Sequence, residues 1–316
     1  MEPIISIITP TLNRADLLDA AIQSVYSQGI DDLEFIIMDG GSTDGTRELV
    51  ARYPQIRFYS QPDKSLYDAL NKGICLAKGQ YIGWLNSDDL YPTGALQAAL
   101  QLIEKHSNWK AVFGDAEVTL LGNSKNKIRI PGFRNDNFLQ KVASDSLSIN
   151  ASLIKTEVFS QLNYFDITYK IASDRDFLFR FGLAGIEFGT INQSLYNYQM
   201  SSTSLTFSKN LVGKIIGDLE EMQIATKFIL NNNSSTIKQI CTSWHSRASA
   251  DAALLCLINN NPEEAKNIKK EGQRVDKPNW YKYYLRGIFM YYARKYFSPK
   301  LRARFSKYKK YLGYNT

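Results

Sequence analysis

Strand and helix patterns alternate along the first 85 residues, and this alternation leaves few folds open to the chain. Short apolar runs rich in β-branched residues predict strands at residues 4–8, 33–38, 56–60 and 81–85. Segments with helical periodicity or helix-starting residues lie between them, at residues 17–25, 46–53 and 66–78. Repeated β–α units of this kind predict a parallel sheet with helices on both of its faces.

Three of the predicted strands end in polar, turn-forming clusters, at residues 9–11, 39–41 and 86–89. In such sheets, ligands bind beyond the carboxyl ends of the strands. Asp, Asn and Gly also form ordinary turns, and a single cluster would be explained equally well in that way. Three clusters on one sheet edge, two of them with carboxylates, instead favour a binding or catalytic site.

A glycine-rich loop at residues 40–45 (GGSTDG) follows a strand and opens a helix, as nucleotide-binding loops do. The dinucleotide fingerprint needs glycine where this chain has Ser42, and the Walker A loop needs lysine where it has Thr46. Neither motif is therefore present. What remains is Asp39 at the strand end, whose carboxylate can accept hydrogen bonds from a ligand.

The cluster at residues 86–89 places two carboxylates side by side, at Asp88 and Asp89. Adjacent carboxylates repel each other unless a cation or hydrogen-bond donors compensate. Mg²⁺ or Mn²⁺ bound together with substrate phosphates needs only one or two protein carboxylates. A capped turn before Pro92 would explain the same residues without a metal.

Cysteine and histidine are too few for several common types of site. The three cysteines, Cys75, Cys241 and Cys256, are scattered and predict neither a disulfide framework nor a paired metal motif. His106 and His245 are the only histidines, which argues against a histidine zinc site and a Ser-His-Asp triad. No apolar run approaches the ~20 residues of a membrane span, and no basic leader precedes the first one. We therefore expect a cytosolic protein, soluble or bound to a membrane surface.

The net charge of +7 comes from one end of the chain. Residues 277–316 contain 11 Lys and Arg and no acidic residue, so residues 1–276 carry a net charge of −4. The same segment contains 13 aromatic residues, among them Trp280 and Tyr281. The positive net charge therefore indicates what kind of partner this tail binds, and it says nothing about the partners of the rest of the protein.

The character of the sequence changes at about residue 201. Helical segments are expected at residues 209–229 and 236–259, followed by a break at residues 259–262. We predict two domains from this change, at residues 1–205 and 206–316, of which the second is α-helical and ends in the basic aromatic tail.

Four motifs resemble those of the family 2 glycosyltransferases, in the same order: residues 6–14 (SIITPTLNR), 37–46 (IMDGGSTDGT), 67–73 (YDALNKG) and 84–89 (WLNSDD). The resemblance covers about residues 3–200 and is strongest toward bacterial enzymes of exopolysaccharide and lipopolysaccharide assembly. It implies the α/β GT-A fold, a mostly parallel sheet flanked by helices, with a C-terminal helical region added here. It also implies sugar transfer from a nucleotide-diphosphate donor, usually a UDP-sugar.

The resemblance implies a role for each matching residue. Nucleotide-sugar binding is assigned to residues of all four motifs: Thr9, Pro10, Thr11, Asn13, Asp39, Asp68, Lys72, Asn86 and Ser87. The acidic metal motif of the family matches residues 86–88, with Asp88 as the principal ligand of Mn²⁺ or Mg²⁺ and Asp89 beside it. Asn86 replaces the first carboxylate of that motif, which removes a negative charge but leaves a carbonyl oxygen.

A later segment, residues 171–180 (IASDRDFLFR), resembles the family's acidic motif at a helix start, whose aspartate is the catalytic base. Asp174 takes that place, and Ser173 stands where many members have glutamate. Asp176 is the second candidate for the base. Ser and Asp are also favoured at helix N-termini by capping and by the helix dipole, and both roles are compatible.

One base and one metal–diphosphate site predict a single displacement that inverts the anomeric configuration, with a hydroxyl of a glycan or lipid-linked acceptor as nucleophile. A glycosidase would need two carboxylates flanking the bond. One alternative is a degenerate GT-A domain that acts as a scaffold in polysaccharide assembly, which Asn86 and Ser173 favour. Another is a nucleotidyltransferase, which would have a glycine-rich triphosphate loop where residues 9–14 contain no glycine.

The basic aromatic tail, residues 277–316, predicts contact with an anionic membrane surface, because aromatic rings and cations both favour the headgroup level. Nucleic acid attracts the same charges, and a basic helix packed on the protein by its aromatic residues is a third interpretation. The resemblance to enzymes that often act on lipid-linked acceptors favours the membrane. We therefore expect a cytoplasmic enzyme, peripheral on the inner face of the cell membrane, without a nucleic-acid partner.

Overall fold

The computed structural model describes residues 3–120, 123–133, 137–144, 148–200 and 211–296. The chain divides into two compact units, Met1–Asn210 and Leu211–Thr316. The predicted domain boundary between residues 205 and 206 lies outside the described residues.

The first unit contains eight strands and seven helices within its described part. The strands are β1 Ile5–Thr11, β2 Leu33–Asp39, β3 Arg57–Ser60, β4 Tyr81–Trp84, β5 Ala111–Leu120, β6 Asn123–Ile130, β7 Ser152–Lys155 and β8 Phe188–Met200. The helices are α1 Ala15–Tyr26, α2 Thr46–Val50, α3 Leu66–Leu76, α4 Ala95–Glu104, α5 Phe138–Ser144, α6 Thr156–Gln161 and α7 Ser173–Leu183. A short 3₁₀ helix, Ile149–Ala151, precedes β7.

All eight strands form one mixed sheet, in the order β3-β2-β1-β4-β7-β5-β6, with β8 beside β5. The first four strands are parallel, as predicted, and β5 and β8 are parallel as well. Strand β7 runs antiparallel to both β4 and β5, and β6 runs antiparallel to β5. The prediction of a parallel sheet is therefore confirmed for the N-terminal β–α units, whereas the complete sheet is mixed.

Strand β1 extends beyond the predicted apolar run, through Pro10 to Thr11. Its pairing with β4 ends at Ile8, while its pairing with β2 continues to the partners Thr11 and Asp39. Pro10 therefore lies where β1 has a strand on one side alone, which is where a residue without an N–H is tolerated. The longer strand brings Thr11 beside Asp39 at one edge of the sheet.

Helices cover both faces of the sheet, as the β–α pattern predicts. Ile5 and Ile7 pack in a buried cluster with α1 and α4. Ile8 points to the other face, where α3 lies so close that a Cβ on Gly73 would stand 2.6 Å from its methyl group. Both faces of β1 are fully buried for this reason, and only the ends of the strands are left for a ligand.

The second unit is helical in its described part, with α8 Leu211–Asn231, α9 Ser235–Ile258 and α10 Pro262–Tyr296. The two predicted helices and the break between α9 and α10 are confirmed. Helix α10 is kinked at Asp276, whose backbone is non-helical and whose carboxylate accepts a hydrogen bond from the N–H of Asn279 at 3.1 Å. Asp276 thus caps a second helical stretch that contains Pro278 in its first turn.

Small residues let the helices of the second unit approach closely. Ala248, Ala252 and Ala253 of α9 form a buried cluster with Trp280 of α10. A partly buried ion pair joins Arg247 of α9 to Glu221 of α8. In the part of the chain that the structure describes, no helix is both long enough and apolar enough to cross a membrane.

Candidate functional site

The carboxyl ends of β1 and β2 form the centre of the candidate site. Asp39 is buried and accepts hydrogen bonds from the N–H and hydroxyl of Ser42 and from the hydroxyl of Ser60. Thr9 and Thr11 are buried beside it on β1, two residues apart and therefore on the same face of the strand. Their hydroxyl oxygens have no hydrogen-bond partner among the described residues. Buried polar atoms are nearly always paired, and because these two hydroxyls lie at a strand end, a ligand bound there is one explanation for them.

The loop after β1 is fastened to the glycine-rich loop after β2. Asn13 donates its backbone N–H to Ser42 Oγ at 2.7 Å, and its side-chain oxygen accepts from the N–H of Thr43 at 2.9 Å. The carboxylate of Asp44 accepts from the N–H groups of Ala15 and Thr46, at the starts of α1 and α2. The N–H of Ala15 is the main cause that lowers the pKa of Asp44. The side chain of Asn13 thus shapes the rim of the site through the loop that it holds.

Helix α3 begins with a cluster of charges. Lys72 pairs with Asp63 at 2.6 Å and with Asp68 at 3.0 Å. The backbone N–H of Lys64 donates to the Asp68 carboxylate and, together with Lys72, lowers the pKa of Asp68. The hydrogen bond to Asp63 raises the pKa of Lys72. An open cavity of about 520 Å³ adjoins this cluster, lined by Gln61, Asn71, Lys72, Cys75, Leu76, Asn163 and Tyr164.

The loop after β4 turns one of its two carboxylates inward. Asp89 is buried and accepts from Asn86 Nδ2 at 3.0 Å, from Tyr196 Oη at 2.8 Å and from the N–H of Gln199 at 2.9 Å. Burial and the neighbouring Asp88 carboxylate raise the pKa of Asp89 to about 7, against three donors that favour its charged form. Asp89 therefore ties β8 to the end of β4.

Asp88 lies nearer to solvent and pairs with Arg14 from the loop after β1, at 3.3 Å. Ser87 beside it is buried, and the side-chain oxygen of Asn86 accepts from the indole N–H of Trp84 at 2.8 Å. Among the described residues, no group of three or more His, Cys, Asp or Glu side chains could hold a metal ion. Mg²⁺ or Mn²⁺ on a single carboxylate takes its other ligands from water, and it binds more tightly where substrate phosphates replace part of that water.

Asp174 is the second residue of α7 and is half-buried. The hydroxyl of Tyr67, on α3, lies 3.2 Å from Asp174 Oδ1 and donates to the carbonyl of Ile171 at 2.6 Å. The N-cap position of α7 is Ala172, and the carboxylate of Asp174 accepts from the N–H of Arg175 in the first turn of the helix, at 2.9 Å. The hydroxyl of the buried Ser173 has no partner among the described residues. Asp174 still lies in the first turn, where the helix dipole favours its charge.

Asp176 does not qualify as the second candidate for the base. It is fully buried and pairs with Arg180 at 2.7 Å. Arg180 in turn donates to the carbonyl of Tyr164 at 2.8 Å, within a turn where Asn163 and Tyr164 both have left-handed backbones. Asp176 thus anchors α7 to that turn, and of the two aspartates Asp174 is the more exposed.

Several residues that shape the site were not predicted from the sequence. Ser42 and Ser60 hold Asp39, and Tyr196 and Gln199 hold Asp89. Ser42 lies in the glycine-rich loop, so its position after a strand was an available signal. Tyr196 and Gln199 follow Asp89 by more than 100 residues, and no local pattern marks them.

Comparison with known proteins gives consistent results. The sequence profile of glycosyl transferase family 2 matches residues 6–159. A PGL/p-HBAD biosynthesis glycosyltransferase of Mycobacterium tuberculosis is 30% identical over 184 residues, which are 56% of this chain and 69% of that protein. A chondroitin synthase of Escherichia coli is 35% identical over 133 residues, 39% of this chain and 19% of that protein.

Solved structures share the fold at low sequence identity. TarS 1–349 of S. aureus, in complex with UDP-GlcNAc, has a TM-score of 0.64 at 17% identity, with 90% of each chain covered. The mannosyltransferase PcManGT of Pyrobaculum calidifontis, in complex with GDP-Man and Mn²⁺, has a TM-score of 0.58 at 18% identity. That match covers 94% of this chain and 88% of the other. These similarities confirm the predicted GT-A fold.

Proposed function

The chain belongs to the family 2 glycosyltransferases, and from this premise we propose that it moves a sugar from a nucleotide-diphosphate donor to a hydroxyl of an acceptor, with inversion. The observation that carries the donor site is the pair of buried, unpaired hydroxyls of Thr9 and Thr11 beside Asp39. Hydroxyl and carboxylate groups of this kind suit the polar edges of a base and a ribose.

The proposed donor is a nucleotide sugar, with a UDP-sugar as the first choice. The structural neighbours TarS and PcManGT bind UDP-GlcNAc and GDP-Man, which supports the class of donor. We assign donor contacts to the ends of β1, β2 and β4 and to the start of α3: Thr9, Pro10, Thr11, Asn13, Asp39, Asp68, Lys72, Asn86 and Ser87. The proposed acceptor is a glycan or a lipid-linked glycan.

Asp174 is the proposed general base. A single displacement needs one carboxylate that removes the proton of the acceptor hydroxyl while the donor's diphosphate leaves. Asp174 is half-buried and close to Tyr67 on α3, the helix that carries the proposed donor residues Asp68 and Lys72. The burial of Asp176 against Arg180 supports this choice, since it removes the other aspartate of the motif.

Asp88 is the proposed protein ligand of a divalent cation, Mn²⁺ or Mg²⁺. When bound, such a cation stabilises the charge that grows on the leaving diphosphate. Asp88 is more exposed than Asp89, which would have to give up one of its three hydrogen bonds to join it. The Mn²⁺ in the PcManGT complex supports a metal of this type in the fold.

A screen of nucleotide sugars by thermal shift, with Mn²⁺, Mg²⁺ or excess chelator, tests the donor proposal. A ligand that binds the folded state alone raises the apparent melting temperature, so we expect one donor to stabilise the protein and to do so more with metal present. Equal melting temperatures with every nucleotide sugar would favour the alternative of a degenerate scaffold domain. Asn86 and Ser173 favour that alternative, because both stand where many members of the family have a carboxylate.

We also propose that the enzyme binds the anionic inner face of the cell membrane through residues 277–316. In the described part of this segment, one side of α10 is exposed and apolar: Tyr281, Leu285, Phe289 and Tyr292 are 40–62% exposed. Their spacing of three or four residues places them in one stripe of the helix, with the exposed cations Lys282 and Arg286 next to it. Residues 297–316 lie outside the described residues.

A neighbouring side of α10 packs within the helical unit. Trp280 is fully buried, and its ring stacks on Tyr284 with 4.7 Å between the ring centroids. The interpretation of the tail as a packed helix therefore accounts for one side of α10. The membrane proposal concerns the other side, and the cations beside the stripe favour an anionic surface.

A further inference from the structure

Arg14 forms an ion pair with Asp88, the carboxylate to which the proposed metal would bind. Its Nη1 lies 3.3 Å from Asp88 Oδ2, and the two side chains are only 23% and 16% exposed. Long charged side chains on a protein surface usually remain in water, so an arginine held this far from solvent has a defined place.

Both partners stand on backbone segments that are fixed by other contacts. Asn13 and Ala15, on either side of Arg14, are bonded to Ser42, Thr43 and Asp44 of the glycine-rich loop. Asp88 precedes Asp89, which Tyr196 and Gln199 hold. The ion pair therefore joins two anchored loops at the ends of β1 and β4 and does not depend on a flexible chain end.

The guanidinium has an electrostatic reason to be there. Asp88 and the buried Asp89 are adjacent carboxylates in the loop after β4. Two like charges this close are costly unless a positive charge lies nearby. Arg14 supplies that charge in the protein alone, and a divalent cation on Asp88 would supply it in the same place.

We propose that Arg14 is the resident counter-ion of Asp88 and that a divalent cation must displace it in order to bind. The guanidinium and the metal compete for one carboxylate, so Arg14 sets how tightly the free enzyme holds metal. This inference rests on the proposed assignment of Asp88 as the metal ligand. It makes Arg14 a positioning residue that controls the metal affinity of the free enzyme.

Mn²⁺ titration of the full-length, nucleotide-free protein, followed through the EPR signal of free Mn²⁺, tests the competition. Removing the competitor in Arg14→Gln should tighten Mn²⁺ binding by about two- to fivefold, the range that corresponds to a partly exposed ion pair. Arg14→Lys keeps a cation and should change the affinity less. Arg52→Gln removes the same charge from an exposed arginine and should leave the affinity unchanged.

A double-mutant cycle separates this inference from the metal assignment itself. In Asp88→Asn, Mn²⁺ binding should be lost, and the further change Arg14→Gln should have no effect on it. Unchanged or weaker Mn²⁺ binding in Arg14→Gln, with binding still lost in Asp88→Asn, would overturn the role of Arg14 and leave the metal site in place. Wild-type affinity in Asp88→Asn, or no Mn²⁺ binding by either wild type or Arg14→Gln, would overturn both.

Discussion

Asp88 and Asp89 are neighbours in the chain, but their carboxylates lie in different environments. Asp89 is buried and accepts three hydrogen bonds, two of which come from β8. Asp88 is partly exposed and pairs with Arg14. Asp89 therefore holds β4 and β8 together at the edge of the sheet, whereas Asp88 is the more accessible of the two carboxylates to a ligand at this edge.

His245 gives the second unit a pH-dependent stability. The residue is 1% exposed, its Nδ1 has no hydrogen-bond partner among the described residues, and burial lowers its pKa to about 4. The unfolded chain, with a histidine pKa of about 6.5, binds the proton first as the pH falls. The contribution of the neutral His245 to stability is therefore complete above pH about 6.5 and is lost toward pH 4, with a magnitude of about 3 kcal/mol.

The variant His245→Gln should lack this loss, because glutamine does not titrate. Urea unfolding at a series of pH values between 7 and 4 measures it as a flatter slope of stability against pH than in wild type. His106→Gln makes the same change at an exposed histidine and serves as the control for the substitution itself. Equal slopes in wild type and His245→Gln would show that His245 is protonated freely in the folded protein.

The sequence alone could predict Asp39, Asp88 and Asp174 as candidates for the site, because each follows a strand or opens a helix within a short motif, and their roles stay predictions. It could not assign the two aspartates of residues 86–89 to different environments. The partners of Asp89, Tyr196 and Gln199, come from a strand that lies beside it only in the folded sheet. Likewise, the burial of Asp176 depends on Arg180 and on the turn at Tyr164. Environments made by distant segments leave no local pattern.

At the scale of elements, the β–α units of residues 1–85 were predictable because buried parallel strands are continuous apolar runs. The strands of the remaining sheet were not. Strand β5 pairs with β6, β7 and β8, in both orientations and with shifts in register, and none of these pairings follows from the sequence of β5 itself. Strand β1 was predicted too short, since its polar end looked like a turn.

Helix α10 allows a direct test of the membrane proposal. Flotation with vesicles that contain anionic lipid should recover the full-length protein at low salt, and binding should fade as salt screens the cations. Leu285→Glu places a negative charge in the exposed stripe and should weaken binding severalfold. Leu230→Glu makes the same change at an exposed leucine of α8 and should not.

The lipid composition of the vesicles defines the result further. Neutral vesicles should bind little protein, because neutral lipid offers no net negative charge to the flanking cations Lys282 and Arg286. Failure of the full-length protein to bind anionic vesicles at low salt would leave the stripe without a membrane role. Equal loss in Leu285→Glu and Leu230→Glu would point to charge alone and not to the stripe.

At the scale of the whole molecule, the chain combines a family 2 glycosyltransferase unit with a helical unit that no predicted motif covers. The fold of the first unit buries both faces of β1 and leaves the strand end as the place for chemistry. Thr11 and Asp39 meet there because β1 and β2 are paired in parallel to their last residues. The position of the site is thus a consequence of the register of the sheet.

The central claim is that Asp174 acts as the general base of an inverting transfer, and the transfer rate of Asp174→Asn tests it most directly. Asparagine is nearly isosteric, so donor binding should stay close to that of wild type while the rate falls by about 10²- to 10⁴-fold. Asp31→Asn, the same change at an exposed aspartate, should transfer at the wild-type rate. The wild-type product, followed by NMR of the anomeric proton, should have the configuration opposite to that of the donor. Near-normal transfer by Asp174→Asn, or a product that retains the donor's configuration, would contradict the account.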